Sequence, residues 1–214
     1  MRIDVFTLTP HAYAWMTEQQ PIAGVLGDEL ELRLFNYRDS TPLRAGQVDD
    51  TPYGGGAGMV LRVDVVAAAL EAAYGPQQPS HRVIALTPLG RPLTQAIVEE
   101  LAGEEELTLL SSRFEGFDDR IVQHLCNDSI SIGPYVLSNG DLAAMVVLDA
   151  VARRLPGALA EGSGELESFS AELDGALEYP HYTRPAEFRG WSVPDVLLSG
   201  DHAKIDNWRR EHVR

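Results

Sequence analysis

Gly54, Gly55, Gly56 and Gly58 crowd the segment "TPYGGGAGM" at residues 51–59, a loop so poor in side chains that another surface could approach its backbone closely. A phosphate is the first ligand to test. A P-loop needs Lys and Ser or Thr directly after its glycines, and here Met59, Val60 and Leu61 follow Gly58, so a nucleoside-triphosphate cradle is excluded. The dinucleotide fingerprint needs a strand feeding the glycines, whereas "GQVDDTPY" precedes them. The segment is left as a side-chain-free wall of a site or as a tight turn. Three more glycine-bearing loops follow strand-like runs: "LTPLGR" (86–91), "SSRFEGFDDR" (111–120) and "SIGPYVLSNGD" (131–141). In an open α/β sheet such loops can line one pocket beyond the strand ends, although each taken singly is equally a plain turn.

Charge and cysteine usage narrow the chemistry. Cys126 is the only cysteine, so neither an intrachain disulfide nor a cysteine zinc site can form, and it reads as a small buried hydrophobe. No clustered set of histidines and carboxylates marks a metal site. The formal net charge of −15 opposes a phosphate backbone if evenly spread, yet Lys204 is the only lysine, and arginine is the cation suited to bidentate phosphate contacts. The spread is uneven: residues 181–214 hold six basic and five acidic side chains, a balance of +1 that leaves −16 for residues 1–180. No run of 18 apolar residues occurs and the N-terminus alternates like a strand, which points to a soluble, cytoplasmic chain with no membrane partner.

The elements that must position these loops follow from periodicity. "RIDVFTL" (2–8), "LELRLFNY" (30–37), "RVIALTP" (82–88), "ELTLLSS" (106–112) and "SISIGPYVLS" (129–138) read as strands. Between them, "RVDVVAAALEAAYG" predicts a helix that Asp64 caps and Gly75 ends, and "PLTQAIVEELAG" and "DDRIVQHLC" predict two more. That order implies a mostly parallel sheet with helices on its faces. "GDLAAMVVLDAVARRLPG" predicts a helix capped near Asp141 and stopped by Pro156, apolar nearly all round and thus buried on more than one side. Residues 1–157 form the main domain, 158–178 read as a mobile acidic linker, and 179–214 read as a partial helical domain whose last helix Asp201 can cap.

In this order, "VDDTPYGGGAGM", "LTPLGRPLTQ", "SRFEGFDDR", "SIGPYVLSNGDL" and "PHYTRP…VPDVLLSGDHAKI…WR" resemble the bacterial tRNA (guanine-N1)-methyltransferase family, TrmD, from residue 1 to about 210. The resemblance implies an α/β fold of the SPOUT type with a deep C-terminal trefoil knot, plus a small helical C-terminal domain. It implies S-adenosylmethionine as cofactor, held by Leu86, Thr87 and Pro88, then Ser112, Phe114, Glu115 and Gly116, then Ile132, Gly133, Tyr135, Leu137, Asn139, Gly140 and Ala143. Glu115 would face the sulfonium, the competing reading being an ion pair with Arg113 or Arg120. The implied reaction is methylation of guanine N1 at position 37 of tRNA, by a magnesium-dependent homodimer. Arg153 matches the arginine that stabilises charge on O6, while Glu167 and Asp174 both stand as the general base. Tyr53 and Gly58 would wall the guanine site, with Arg184 and Arg209 as basic contacts to tRNA.

This chain departs from the family pattern at several of these places. Glu167 replaces an aspartate, Ser112 and Asn139 replace glycines, and Ala143 replaces a proline; Asn139 is expected to tolerate a left-handed turn. The sequence given stops at Arg214, where the family continues through more basic helices, and weaker RNA binding is the expected consequence. These departures keep two alternatives in view, a non-catalytic dimeric RNA-binding relative and a methyltransferase of the same fold acting elsewhere on RNA.

Overall fold

The computed structural model describes residues 1–160 and 167–214, which divide into two compact units, Met1–Leu159 and Ala160–Arg214. The first unit opens with β1 (Arg2–Thr7), whose alternation sends Ile3 and Val5 into one apolar cluster and Phe6 into another on the opposite face. Short helices α1 (Ala14–Thr17) and α2 (Ile22–Val25) lead to β2 (Glu31–Asn36) and then α3 (Tyr37–Ser40). A two-residue ribbon, β3 (Asp49–Asp50) against β4 (Val60–Leu61), closes the glycine segment at its base. There follow α4 (Val63–Tyr74), β5 (Arg82–Pro92), α5 (Gln95–Ala102), β6 (Glu106–Leu110), α6 (Asp119–His124), β7 (Asp128–Ser131) and α7 (Asp141–Ala152).

The five long strands form one parallel sheet in the order β2-β1-β6-β5-β7, the arrangement that alternating strand and helix patterns predict. Leu107 and Leu109 of β6 and Ile84 of β5 join Val98, Leu101, Val147 and Val151 on one face, while Val83, Leu110 and Ile121 join Val65, Val66 and Leu70 on the other. Apolar layers on both sides explain why these strands read as continuous hydrophobic runs.

Local differences from the sequence reading have physical causes. Asp64 does not cap α4. Arg62 occupies that position, and Asp64 in the first turn accepts from Arg62 Nε and Nη2 at 3.0 and 2.7 Å. Strand β7 ends at Ser131, opposite Pro92, the last residue of its neighbour β5; Leu86 and Arg91 of β5 both face Ile130, with a register shift between them. Thr94, Asp118 and Asp201 do cap helices, accepting from the amides of Ile97, Arg120 and Lys204.

The second unit is built differently. Residues 167–178, expected in a linker, are hydrogen-bonded, with Phe169 N donating to Ala176 O at 2.8 Å and Leu177 pairing with Arg214 through both backbone groups. A hairpin of β8 (Glu187–Phe188) and β9 (Trp191–Ser192) precedes α8 (Asp195–Leu198) and α9 (His202–Glu211). Two residues per strand are too few to register as a period in sequence.

Candidate active site

Strands β6, β5 and β7 are neighbours in the sheet, so the loops leaving their carboxyl ends emerge side by side, where ligands of open α/β sheets bind. They enclose one cleft of about 160 Å³. Leu86, Thr87 and Pro88 supply one wall, Ser112, Phe114, Glu115 and Gly116 a second, and Ile132, Gly133, Tyr135, Leu137, Asn139, Gly140 and Ala143 the third. Every residue that the family resemblance assigns to the cofactor lines this cleft. Arg113, Ser131 and Val136 also line it, and the sequence reading did not assign them. The Tyr135 ring rests against Gly133, and its hydroxyl donates to Ile132 O at 3.0 Å, which narrows the cleft.

A tight seam holds the second and third loops together. Gly140 N donates to Ser112 O at 2.7 Å, and a Cβ on Gly140 would lie 2.8 Å from Ser112 N, so no side chain fits there. Arg113 and Asn139 form an antiparallel bridge across the same seam. Asn139 is not in the left-handed region, contrary to expectation. Its Oδ1 instead accepts from Asp141 N at 3.0 Å and ties the loop to the first turn of α7.

Asp141 is not the helix cap that its position suggested; Gly140 is. The Asp141 side chain is 5% exposed, and its carboxylate accepts from Thr7 Oγ1 at 2.6 Å, Ser111 Oγ at 2.7 Å, Tyr13 Oη at 3.1 Å and Thr9 Oγ1. Hydroxyl donors on three sides replace the water lost on burial. Burial and the Asp141 carboxylate together hold the Tyr13 phenol well above its ordinary range, so it remains a donor. The periodicity of the α7 segment could not show this, because the donors come from β1, its following loop and the end of β6.

The glycine segment meets the cleft at one point. Gly58 has a φ of 84°, and a Cβ there would lie closer than 3.0 Å to the Glu115 side chain. Glu115 N donates to Met59 O at 2.9 Å and Leu61 N to Gly116 O at 3.0 Å, which fastens the loop leaving β6 to β4. Tyr53 is fully exposed and lines a separate, wider groove with Asp50, Arg62, Asp118 and Arg120. Neither ion pair considered for Glu115 forms: Arg120 is held by Asp118 at 2.9 and 2.6 Å, and Arg113 has no carboxylate partner among the described residues. Arg153 is the C-cap of α7, its amide donating to Asp149 O at 3.1 Å.

Glu167, Asp174, Arg184 and Arg209 belong to the second unit. Glu167 O accepts from Ser170 N at 3.0 Å, and Asp174 closes a turn at Ala171–Leu173 with a φ of 51°. Arg209 lies over the Tyr179 ring at 5.1 Å and within 3.4 Å of Asp206. No group of three or more His, Cys, Asp or Glu side chains among the described residues could hold a metal ion.

The fold and cleft define an α/β protein with a cleft beyond the carboxyl ends of its strands, the place where open sheets of this kind bind ligands. The chain belongs to the family described as tRNA (Guanine-1)-methyltransferase TrmD, which matches residues 1–214. Proteins named tRNA (guanine-N(1)-)-methyltransferase are similar to it along nearly its whole length. One from Brevibacillus brevis is 51% identical over 217 residues, covering 100% of this chain and 87% of the relative. One from Dehalococcoides mccartyi is 45% identical, covering 99% and 85%, and one from Bacillus cereus is 46% identical, covering 99% and 86%.

Proposed function

We propose that this enzyme binds S-adenosylmethionine in the three-loop cleft and methylates N1 of the guanine at position 37 in the tRNA anticodon loop. The observation that carries the reading is the convergence of the family's cofactor motifs on one cleft within a chain that belongs to the family throughout. The residues present fit the cofactor. Small and backbone-rich walls suit a nucleoside, the close approach of Gly140 to Ser111 and Ser112 leaves a snug surface, and Glu115 offers a negative charge to a cationic ligand. When bound, the cofactor supplies an activated methyl group on its sulfonium.

The chain's own residues then have two tasks at the base. Guanine N1 carries a proton and is a weak nucleophile until that proton leaves, so a carboxylate, Glu167 or Asp174, accepts it. Negative charge then develops on O6, and the Arg153 guanidinium stabilises it. Gly58 keeps bulk out of the approach, with Tyr53 on the adjoining surface, and Arg184 and Arg209 contact the tRNA backbone. The close passages of Gly90 against Ile130 and of Gly140 against Ser111 and Ser112 support a trefoil knot in this region. Exposed Leu142 (51%) and Val146 (44%) on otherwise buried α7 support a homodimer through that helix. Magnesium dependence and a cytoplasmic location rest on the family resemblance; no helix among the described residues is long and apolar enough to cross a membrane.

The test is transfer of labelled methyl to tRNA with guanine at position 37 and to the same tRNA with adenine there. Transfer to the first alone is expected, and no transfer to either sinks the proposal. Arg153→Ala should slow the single-turnover methyl transfer by about 10²-fold or more while leaving cofactor affinity unchanged. Gly58→Val should abolish transfer and weaken cofactor binding as well, because the new side chain must displace Glu115.

A further inference from the structure

Among the described residues two carboxylates are buried, Asp4 and Asp141, and their partners differ. Asp4 is bidentate to the Arg33 guanidinium at 2.7 and 2.6 Å. Asp141 has no Lys, Arg or His nitrogen within 4.0 Å among the described residues, and only the hydroxyls of Thr7, Thr9, Tyr13 and Ser111 reach it. All four donate, the pattern of an ionised carboxylate. Neutral donors stabilise such a charge and leave it uncompensated, so in a buried setting its field reaches the neighbouring elements.

The neighbouring element is the cleft wall. Asp141 directly follows Gly140, Ser111 directly precedes Ser112, and Gly140 and Ser112 both line the cleft. Gly140 is also the N-cap of the twelve-residue α7, so a helix N-terminus backs that wall. The unpaired amides of a helix N-terminus carry partial positive charge, which attracts anions and opposes cations. A full negative charge buried in the first turn reverses the sign. Glu115, the other carboxylate near the cleft, is exposed and screened by solvent, whereas Asp141 is not.

We infer that Asp141, from behind the cleft wall, determines specificity by charge: it favours a sulfonium cofactor over the neutral thioether left after methyl transfer. This rests on the proposed binding of S-adenosylmethionine in the cleft. Transfer leaves the carbon–sulfur bonding pair on sulfur while guanine N1 gains the methyl and loses its proton. The positive charge has then left the sulfur, and the pull of Asp141 on the spent cofactor ends with it. A unit charge about 10 Å from a cation, at an effective dielectric constant of about 20, is worth roughly tenfold in affinity.

Calorimetry on the full chain with S-adenosylmethionine and S-adenosylhomocysteine tests the assignment, because the two differ by one methyl group and one positive charge. The ratio of their affinities in each variant, set against the ratio in the unaltered protein, isolates the charge. Asp141→Asn keeps the shape of the side chain and should shift that ratio against S-adenosylmethionine by about fivefold to tenfold. Ser111→Ala removes one donor and keeps the charge, so it should lower stability in urea and leave the ratio within about twofold. Thr9 is only half-buried, which lets Thr9→Lys set an ammonium against the carboxylate with Asp141 in place. This variant should shift the ratio in the same direction as Asp141→Asn, and Thr9→Val should not; the pair decides the matter if Asp141→Asn does not fold. Equal loss of both ligands in Asp141→Asn or Thr9→Lys would make Asp141 a structural residue and overturn the inference. If the unaltered protein binds neither ligand, the cofactor reading falls and this inference with it. If it binds both and no variant moves the ratio, only this inference falls.

Discussion

Arg33, Arg62, Arg82 and Arg91 of Met1–Leu159 each lie within 4.0 Å of a carboxylate, whereas Arg184, Arg189, Arg210 and Arg214 of Ala160–Arg214 have no such partner among the described residues. Two cations of the second unit lie over rings: Arg189 over Phe188 at 5.0 Å, and Arg209, which Asp206 also approaches, over Tyr179 at 5.1 Å. Burial divides the same way. Among the described residues every buried apolar side chain belongs to the first unit, and of the second only Ser170 is buried. The first unit is held by a two-faced core and by ion pairs such as Arg33–Asp4 and Arg91–Asp128. The second is held by turns, caps and ring contacts.

Mutations can break this contrast, the largest effect first. Leu109→Ala, in the fully buried cluster under α7, should cost about 2–5 kcal/mol in urea unfolding, while Leu198→Ala in the second unit should stay within about 0.5 kcal/mol. A comparable loss at Leu198 would mean that the second unit has a core after all. Asp141→Ala strands the hydroxyls of Thr7, Tyr13 and Ser111 and should cost about 3 kcal/mol by the same measurement. Asp4 is buried and bidentate to Arg33 at 2.7 and 2.6 Å, so Asp4→Asn should cost about 1–3 kcal/mol; the exposed Asp206→Asn should cost under about 1 kcal/mol.

The smallest effect is one of pH. His81 accepts or donates at Thr108 Oγ1 (2.8 Å), and burial, outweighing nearby Glu106, pulls its pKa below the ordinary 6.5. The unfolded chain therefore takes up this proton first on acidification. Its contribution to stability is complete above about pH 6.5 and is lost as pH falls from there through the lowered folded value. Unfolding free energies measured from about pH 7.5 to 5 should fall less steeply in His81→Gln; an unchanged slope would place the sensitivity elsewhere.

Much of the first unit was legible because its signals are local. Two-residue alternation marks β1, and helical periodicity marks α4 and α5. The cleft-lining positions were legible only through the resemblance, since the loops carry no periodicity of their own. Other features needed the third dimension. Asp141 reads as a cap until Thr7, Thr9 and Ser111 arrive from other elements. Residues 132–138 alternate like a strand, yet β5 ends at Pro92, opposite Ser131, and leaves them no partner. The unpaired state of Arg113 likewise depends on where Met59 and Asn139 fasten the neighbouring backbone.

The Asp141 carboxylate has a consequence in the time order of synthesis. Its partner Thr7 lies 134 residues earlier, at the end of β1. Until α7 is made, the hydroxyls of Thr7, Tyr13 and Ser111 have no acceptor here, and the loop leaving β6 has no Gly140 to lean on. A nascent protein stalled before residue 141 already holds all five strands and nearly every cleft-lining residue, yet lacks the carboxylate on which the hydroxyls of Thr7, Tyr13 and Ser111 converge.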